Sequence, residues 1–181
     1  MKTERENLLN ILTRLDYVSS QGPFEDAEID FLCTCIQSND PEICATASIL
    51  LTGEEDKDRL LRMIPLFKQA SPLQKRLMVG PMSTIPYHEV HEFFIEELKT
   101  EQNPETVVCL SVVLGTTDYP VLPYLLMAIR DADEAFLERL KKVFKHFSFE
   151  RIKSQLAVFP VLPFPRFFKE VYGEKAIDSL F

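Results

Sequence analysis

A capping residue stands directly before a proline three times at nearly even spacing: Asp40-Pro41, Ser71-Pro72 and Asn103-Pro104. The prolines lie 31 and then 32 residues apart. A short polar side chain accepts hydrogen bonds from the unpaired N–H groups at a helix start. Proline suits the first helical position, where its missing N–H goes unused. Each dipeptide therefore predicts a helix start. The spacing predicts one helical hairpin per ~30 residues, the sign of an α-solenoid. This feature constrains the architecture and leaves the activity open.

The apolar periodicity agrees with the caps. Leu8, Ile11, Leu12 and Leu15 follow the i, i+3, i+4, i+7 rule and predict a helix over 3–19, opened by a Thr3/Glu6 capping box and stopped at Gln21-Gly22-Pro23. Hairpins are predicted over 25–37 with 41–51, 55–69 with 72–84, 87–99 with 104–114, and 119–130 with 133–146. Segments 149–158 and 165–180 form a last, irregular pair, joined by the apolar, proline-pinned Phe159–Pro165. Pro65 and Gly80-Pro81 are expected to kink or break their helices, because proline removes a backbone donor and clashes with the preceding turn. The 107–114 run is apolar nearly all round, which predicts a doubly covered helix with Val108 buried, so that Val108→Asp unfolds the chain. No period-two alternation recurs, and no sheet is expected.

The domain reading is a single domain over 1–181: an N-terminal capping helix (1–24), about four hairpins (25–146) and C-terminal capping helices (147–181). No stretch of ~18 uncharged apolar residues exists, so no membrane span is expected. The charged opening Met1-Lys2-Thr3-Glu4-Arg5-Glu6 lacks a signal peptide's apolar core, which predicts a cytoplasmic protein. Cys33, Cys35, Cys44 and Cys109 then read as small buried hydrophobes in a reducing compartment, Cys33-Thr34-Cys35 having no second pair at metal-ligand spacing. The net charge of −8 is unevenly placed. Residues 1–58 hold 4 basic and 13 acidic side chains; residues 139–181 hold 9 and 4. In a solenoid, sequence order becomes spatial order, giving an acidic head and a basic tail.

The stretch Val113-Leu114-Gly115, followed by Val121-Leu122-Pro123-Tyr124-Leu125-Leu126-Met127-Ala128-Ile129-Arg130-Asp131-Ala132-Asp133, resembles HEAT-type repeats. There a Leu-Gly closes one unit, an apolar proline-led helix opens the next, and the second helix begins after an Asp or Asn. Asn39-Asp40-Pro41 and Asn103-Pro104 resemble the same inter-helix corner. The resemblance covers residues 25–146. It implies an all-α, right-handed α-solenoid of HEAT-like helical hairpins, with second helices lining a concave surface. It implies protein binding most often, with nucleic-acid or lyase roles in minorities.

Few residues point to chemistry. His88 and His91, with Glu89 and Glu92, are the one metal-like cluster; two histidines fall short of a zinc ligand set, and a solvated helix face is expected. Glu89, Glu92, Glu96, Glu97, Glu101 and Glu105 read as a helix exterior, because carboxylates do acid/base work only where a cleft shifts their pKa values. Five glycines, none in a G-x-G, argue against a nucleotide fingerprint. The expectation is therefore a protein that is not an enzyme and needs no cofactor or metal.

The basic run Arg139, Lys141, Lys142, Lys145, His146, Arg151 and Lys153 stands out, with Lys142, Lys145 and His146 sharing one helical side. The leading expectation is a protein-binding scaffold or adaptor. Its candidate binding residues are Arg139, Lys142, Lys145, Lys75 and Glu105, with Glu42, Thr46 and Gln74 also on second helices. An acidic partner would dock near Arg139, Lys142 and Lys145, and reversing these three charges should leave the fold intact. Two alternatives stand: a nucleic-acid-binding or DNA-repair-like protein using the 139–153 face, and an acidic inhibitor or immunity-type protein using the acidic N-terminal half.

Overall fold

The computed structural model describes residues 3–19, 23–52, 61–118, 120–157 and 163–178. Among these residues every regular element is helical and none is a strand. The helices are α1 (Glu4–Ser19), α2 (Asp26–Ile36), α3 (Pro41–Thr52), α4 (Met63–Gln69), α5 (Pro72–Ser83), α6 (His88–Thr100), α7 (Pro104–Thr116), α8 (Leu122–Arg130), α9 (Glu134–Phe144), α10 (Phe149–Leu156), α11 (Pro165–Tyr172) and α12 (Glu174–Asp178). None is long and apolar enough to cross a membrane.

The capping residues start helices as their chemistry dictates. Thr3 and Glu6 close a reciprocal box: the Thr3 amide donates to Glu6 Oε2 at 2.8 Å and the Glu6 amide to Thr3 Oγ1 at 3.3 Å. Asp40 Oδ1 accepts from the Glu42 and Ile43 amides. Ser71 and Gln74 form a second box, and Asn103 Oδ1 accepts from the Glu105 and Thr106 amides. Asp133, which lacks the proline, still caps α9 through the Phe136 amide at 2.8 Å. Arg5 reaches from α1 to Asp40 Oδ2 at 2.6 Å and to Glu42. Its guanidinium holds the Asp40 carboxyl below the usual carboxylate range.

The prolines act according to position. Pro65 sits in the first turn of α4, and the helix is interrupted just before it, at Arg62. A proline at 65 cannot donate to the Leu61 carbonyl, so a break there is the expected cost. Residues 55–60 of the predicted 55–69 helix, and Phe159–Leu162 of the predicted connector, lie outside the described residues. Gly80-Pro81 does not break its helix: α5 continues to Ser83, because Pro81 falls in the last turn and its ring displaces one terminal hydrogen bond. The predicted 165–180 helix is two helices. Gly173, at φ +86°, adopts a conformation that glycine reaches without strain and divides α11 from α12.

The chain forms two compact units, Met1–Val90 and His91–Phe181, divided within the first turn of α6. In the N-terminal unit α3 packs on α2, α5 and α1, and α4 packs on α2 and α5. In the C-terminal unit α9 packs on α7, α8 and α11. Second helices of successive hairpins thus pack on each other in both units: α3 on α5, and α7 on α9.

One device recurs at helix ends. The last carbonyls of a helix lack intrahelical donors. Here side chains 28 to 41 residues later in the chain supply them. Gln74 Nε2 donates to the Gln37 and Ser38 carbonyls at 2.7 and 2.9 Å, closing α2. Arg139 Nη1 donates to the Leu98 carbonyl at 2.7 Å, closing α6. Arg151 Nη2 donates to the Thr117 carbonyl at 2.8 Å beyond α7, and the Tyr172 hydroxyl to the Phe144 carbonyl at 2.7 Å at the end of α9. Each bond fixes how one hairpin sits on the next. Burial pushes the Tyr172 phenol well above its ordinary pKa and keeps it a donor.

Candidate functional site

Helix α7 is buried on one side through Val107, Leu110, Ser111, Leu114 and Gly115. Its other side presents Glu105, Val108, Val112 and Thr116, spaced three or four residues apart along a single stripe. The doubly covered helix expected here is therefore corrected: Val108 is 54% exposed and Val112 36%. Among the described residues no neighbouring helix covers that side, and an aliphatic residue on an open face looks the same in sequence as one in a core. The N-terminal unit repeats the pattern. Ile49, 61% exposed on α3, lies eight residues after Pro41, as Val112 lies eight after Pro104. Glu42 and Glu105, each directly after its proline, are exposed as well.

Gly115 brings α7 close to α9. A Cβ at this position would lie 2.5 Å from His146 Cβ and 2.6 Å from the Val143 carbonyl oxygen. Only glycine permits that approach. The crossing sets His146 beside the Val112–Thr116 end of the α7 stripe. Lys142, one turn earlier, and Lys145 are exposed with it, as the helical angles predict. None of these three makes an ion pair among the described residues. The result is an exposed aliphatic pair on α7, with His146 against the same end of that helix and the exposed Lys142 and Lys145 at the end of α9.

Three other cations of the basic run, Arg139, Lys141 and Arg151, are engaged within the chain. Arg139 is half-buried and caps α6. Lys141 bridges Glu138 and Glu170. Arg151 holds the Thr117 carbonyl while its guanidinium lies 4.8 Å from the centre of the Phe147 ring. Removing Arg139 thus removes a structural hydrogen bond as well as a charge. Arg139→Met should cost about 1.5–3 kcal/mol, the range for a hydrogen bond to a charged group, measured by urea unfolding. Lys142→Met should leave the midpoint unchanged. The expectation that a triple reversal including Arg139 spares the fold is corrected accordingly.

The remaining candidates scatter. Lys75 is half-buried, its Nζ 5.3 Å from the Phe67 ring centre, and Gln74 is buried in its capping role. Glu42 pairs with Arg5, and Thr46 is half-buried. His88 and His91 do not share a solvated face, which corrects that expectation. His88 is exposed, whereas His91 is 1% exposed with Nε2 3.2 Å from Thr117 Oγ1. No group of three or more metal-ligating side chains gathers among the described residues. Cys35 and Cys44 are buried as expected, but Cys33 and Cys109 are only half-buried. Burial pushes the thiols of Cys33, Cys35 and Cys44 above their ordinary pKa, which works against a reactive thiolate.

A cleft of about 450 Å³ lies among α8, α9 and α11, floored by Ile129, Leu137 and Phe167. Lys141 and Arg166 pair with Glu170 at its rim and hold that carboxyl below its usual range. Lys141 also pairs with Glu138, and a depressed carboxyl such as Glu170 is poorly suited to general acid/base work near neutral pH.

No family model matches this chain, and neither the curated proteins nor the solved structures contain a match to it.

Proposed function

We propose that this chain is a non-enzymatic protein-binding module, a right-handed HEAT-like solenoid of helical hairpins whose second helices present the partner-facing surface. The observation that carries this reading is the exposure of Val108 and Val112 on α7, repeated by Ile49 at the matching position of α3. Two aliphatic side chains exposed together on one helix face offer a partner apolar area to remove from water. The packing of second helices on each other within each unit supports the hairpin-repeat arrangement. Paired charges in the cleft and raised thiol pKa values favour binding over catalysis. The four free thiols accord with a reducing, cytoplasmic setting. Nucleic acid is the lesser candidate, because Arg139, Lys141 and Arg151 already serve partners within the chain.

The test is a quantitative pull-down from the native cell, with wild type and a Val108→Glu/Val112→Glu double variant as baits. At least one protein retained by wild type and lost from the variant is expected. Identical retained sets, or retained material that is nucleic acid weakening linearly with log salt, would overturn the proposal.

A further inference from the structure

The reading of this chain as a protein-binding module leaves the chemistry of the partner open, and the face formed by α7 and α9 narrows it. Val108 and Val112 are one helical turn apart, about 6 Å along the axis. They form an aliphatic strip that suits two apolar side chains at i, i+4 spacing on a partner helix. The Gly115 crossing sets His146 against the C-terminal part of α7, and Lys142 and Lys145, within one turn of His146 in the chain, are exposed. Lys142 and Lys145 have no carboxylate partner among the described residues, unlike Lys141 on the adjacent side of the same helix. At the opposite end of the strip stands Glu105. The face is therefore polarised, apolar in the middle and cationic where α7 and α9 end.

We propose that this face docks an acidic amphipathic segment of a partner protein. Its apolar pair lies on Val108 and Val112, and its carboxylates lie over Lys142, Lys145 and His146. This assignment rests on the protein-binding reading above and adds the partner's charge and direction. Two features favour an acidic segment over a neutral one. Lys142 and Lys145 are exposed and have no carboxylate partner among the described residues, which suits them to steering and pairing. The apolar strip alone is narrow, and a short segment held by two valines needs a second source of affinity. The direction follows from the polarity: the acidic end of the segment lies over the C-terminal ends of α7 and α9, away from Glu105.

The experiment selects random 16-residue displayed peptides on the full chain. It then measures each enriched peptide against wild type, Val112→Glu and Lys142→Glu/Lys145→Glu, each variant first shown to melt like wild type. Peptides with net negative charge and an i, i+4 apolar pair are expected. Each variant should weaken them about tenfold or more, equivalent to ~1.4 kcal/mol, and the wild-type affinity should fall with added salt. Neutral or basic peptides that still depend on Val112 would overturn the acidic assignment and leave the protein-binding reading standing. Peptides that bind both variants as well as wild type would overturn the site. Peptides that match this chain's own acidic α1–α3 region, together with dimerisation in solution, would replace the foreign partner with a second copy. No enrichment at all would count against both the site and the broader reading.

Discussion

Phe144→Ala should destabilise the C-terminal unit by about 3–5 kcal/mol, the range for emptying a phenylalanine site in a packed core. Phe144 is fully buried at the end of α9, and three rings surround it. Phe167 and Phe168 meet it edge-on, at centroid distances of 5.2 and 5.5 Å, and Phe147 lies 5.7 Å away at a tilt. Edge-to-face pairs add roughly 0.5–1.5 kcal/mol beyond the area they bury. The same residue's carbonyl accepts the Tyr172 hydroxyl, so α11 is tied to α9 through both ring and backbone. Loss of the ring should loosen α10, α11 and α12 together, since Tyr172 also lies 5.5 Å from the Phe149 ring. Urea unfolding followed by circular dichroism measures the effect. A shift below about 1 kcal/mol, the central tendency for point substitutions at large, would show that this cluster does not organise the unit.

Leu110→Asp should prevent the C-terminal unit from folding, whereas Val108→Asp should be tolerated. The two residues lie two apart on α7, which places them on different sides of the helix. Leu110 is 0% exposed and Val108 54%. An unpaired carboxylate at the Leu110 position sits where water cannot reach it, and such burial costs several kcal/mol against a total stability of about 5–15 kcal/mol. At position 108 the carboxylate stays in water, and surface changes typically stay within about 0.5 kcal/mol. Melting temperatures of the two variants decide the matter. A Val108→Asp protein that fails to fold would return Val108 to the core and remove the open face of α7.

What the sequence shows well is whatever is decided locally. Asp40, Ser71, Asn103 and Asp133 mark helix starts because a cap needs only the next three residues, and the structure has all four in place. The break at Pro65 is local in the same way. Exposure is not local. Val107 and Val108 are the same residue type in the same helix, yet one is buried and one open, because α9 and the rest of the unit cover only one side. The helix-end bonds of Gln74, Arg139, Arg151 and Tyr172 span 28 to 41 residues, and nothing in the local sequence separates them from surface polar groups. Arg139 is the instructive case. Its place in a basic run suggests a docking residue, and only the position of the α6 end turns it into a cap. Lys142 and Lys145 carry the same sequence signal without such a partner among the described residues, which is why the candidate face retains them and loses Arg139. Gly115 reads in sequence as the close of a repeat; its steric role becomes visible only once His146 and Val143 stand against it.

Valine methyl NMR on the full chain tests the central claim most directly, with an acidic peptide from the selection added stepwise. Val108 and Val112 are exposed on the proposed docking face, so their methyl resonances should shift on titration. The buried Val107 and Val143 should shift much less, and the titration midpoint should move about tenfold or more higher in the Lys142→Glu/Lys145→Glu variant. Perturbations that leave Val108 and Val112 unmoved while other valines respond would contradict the account and place the docking surface elsewhere on the chain.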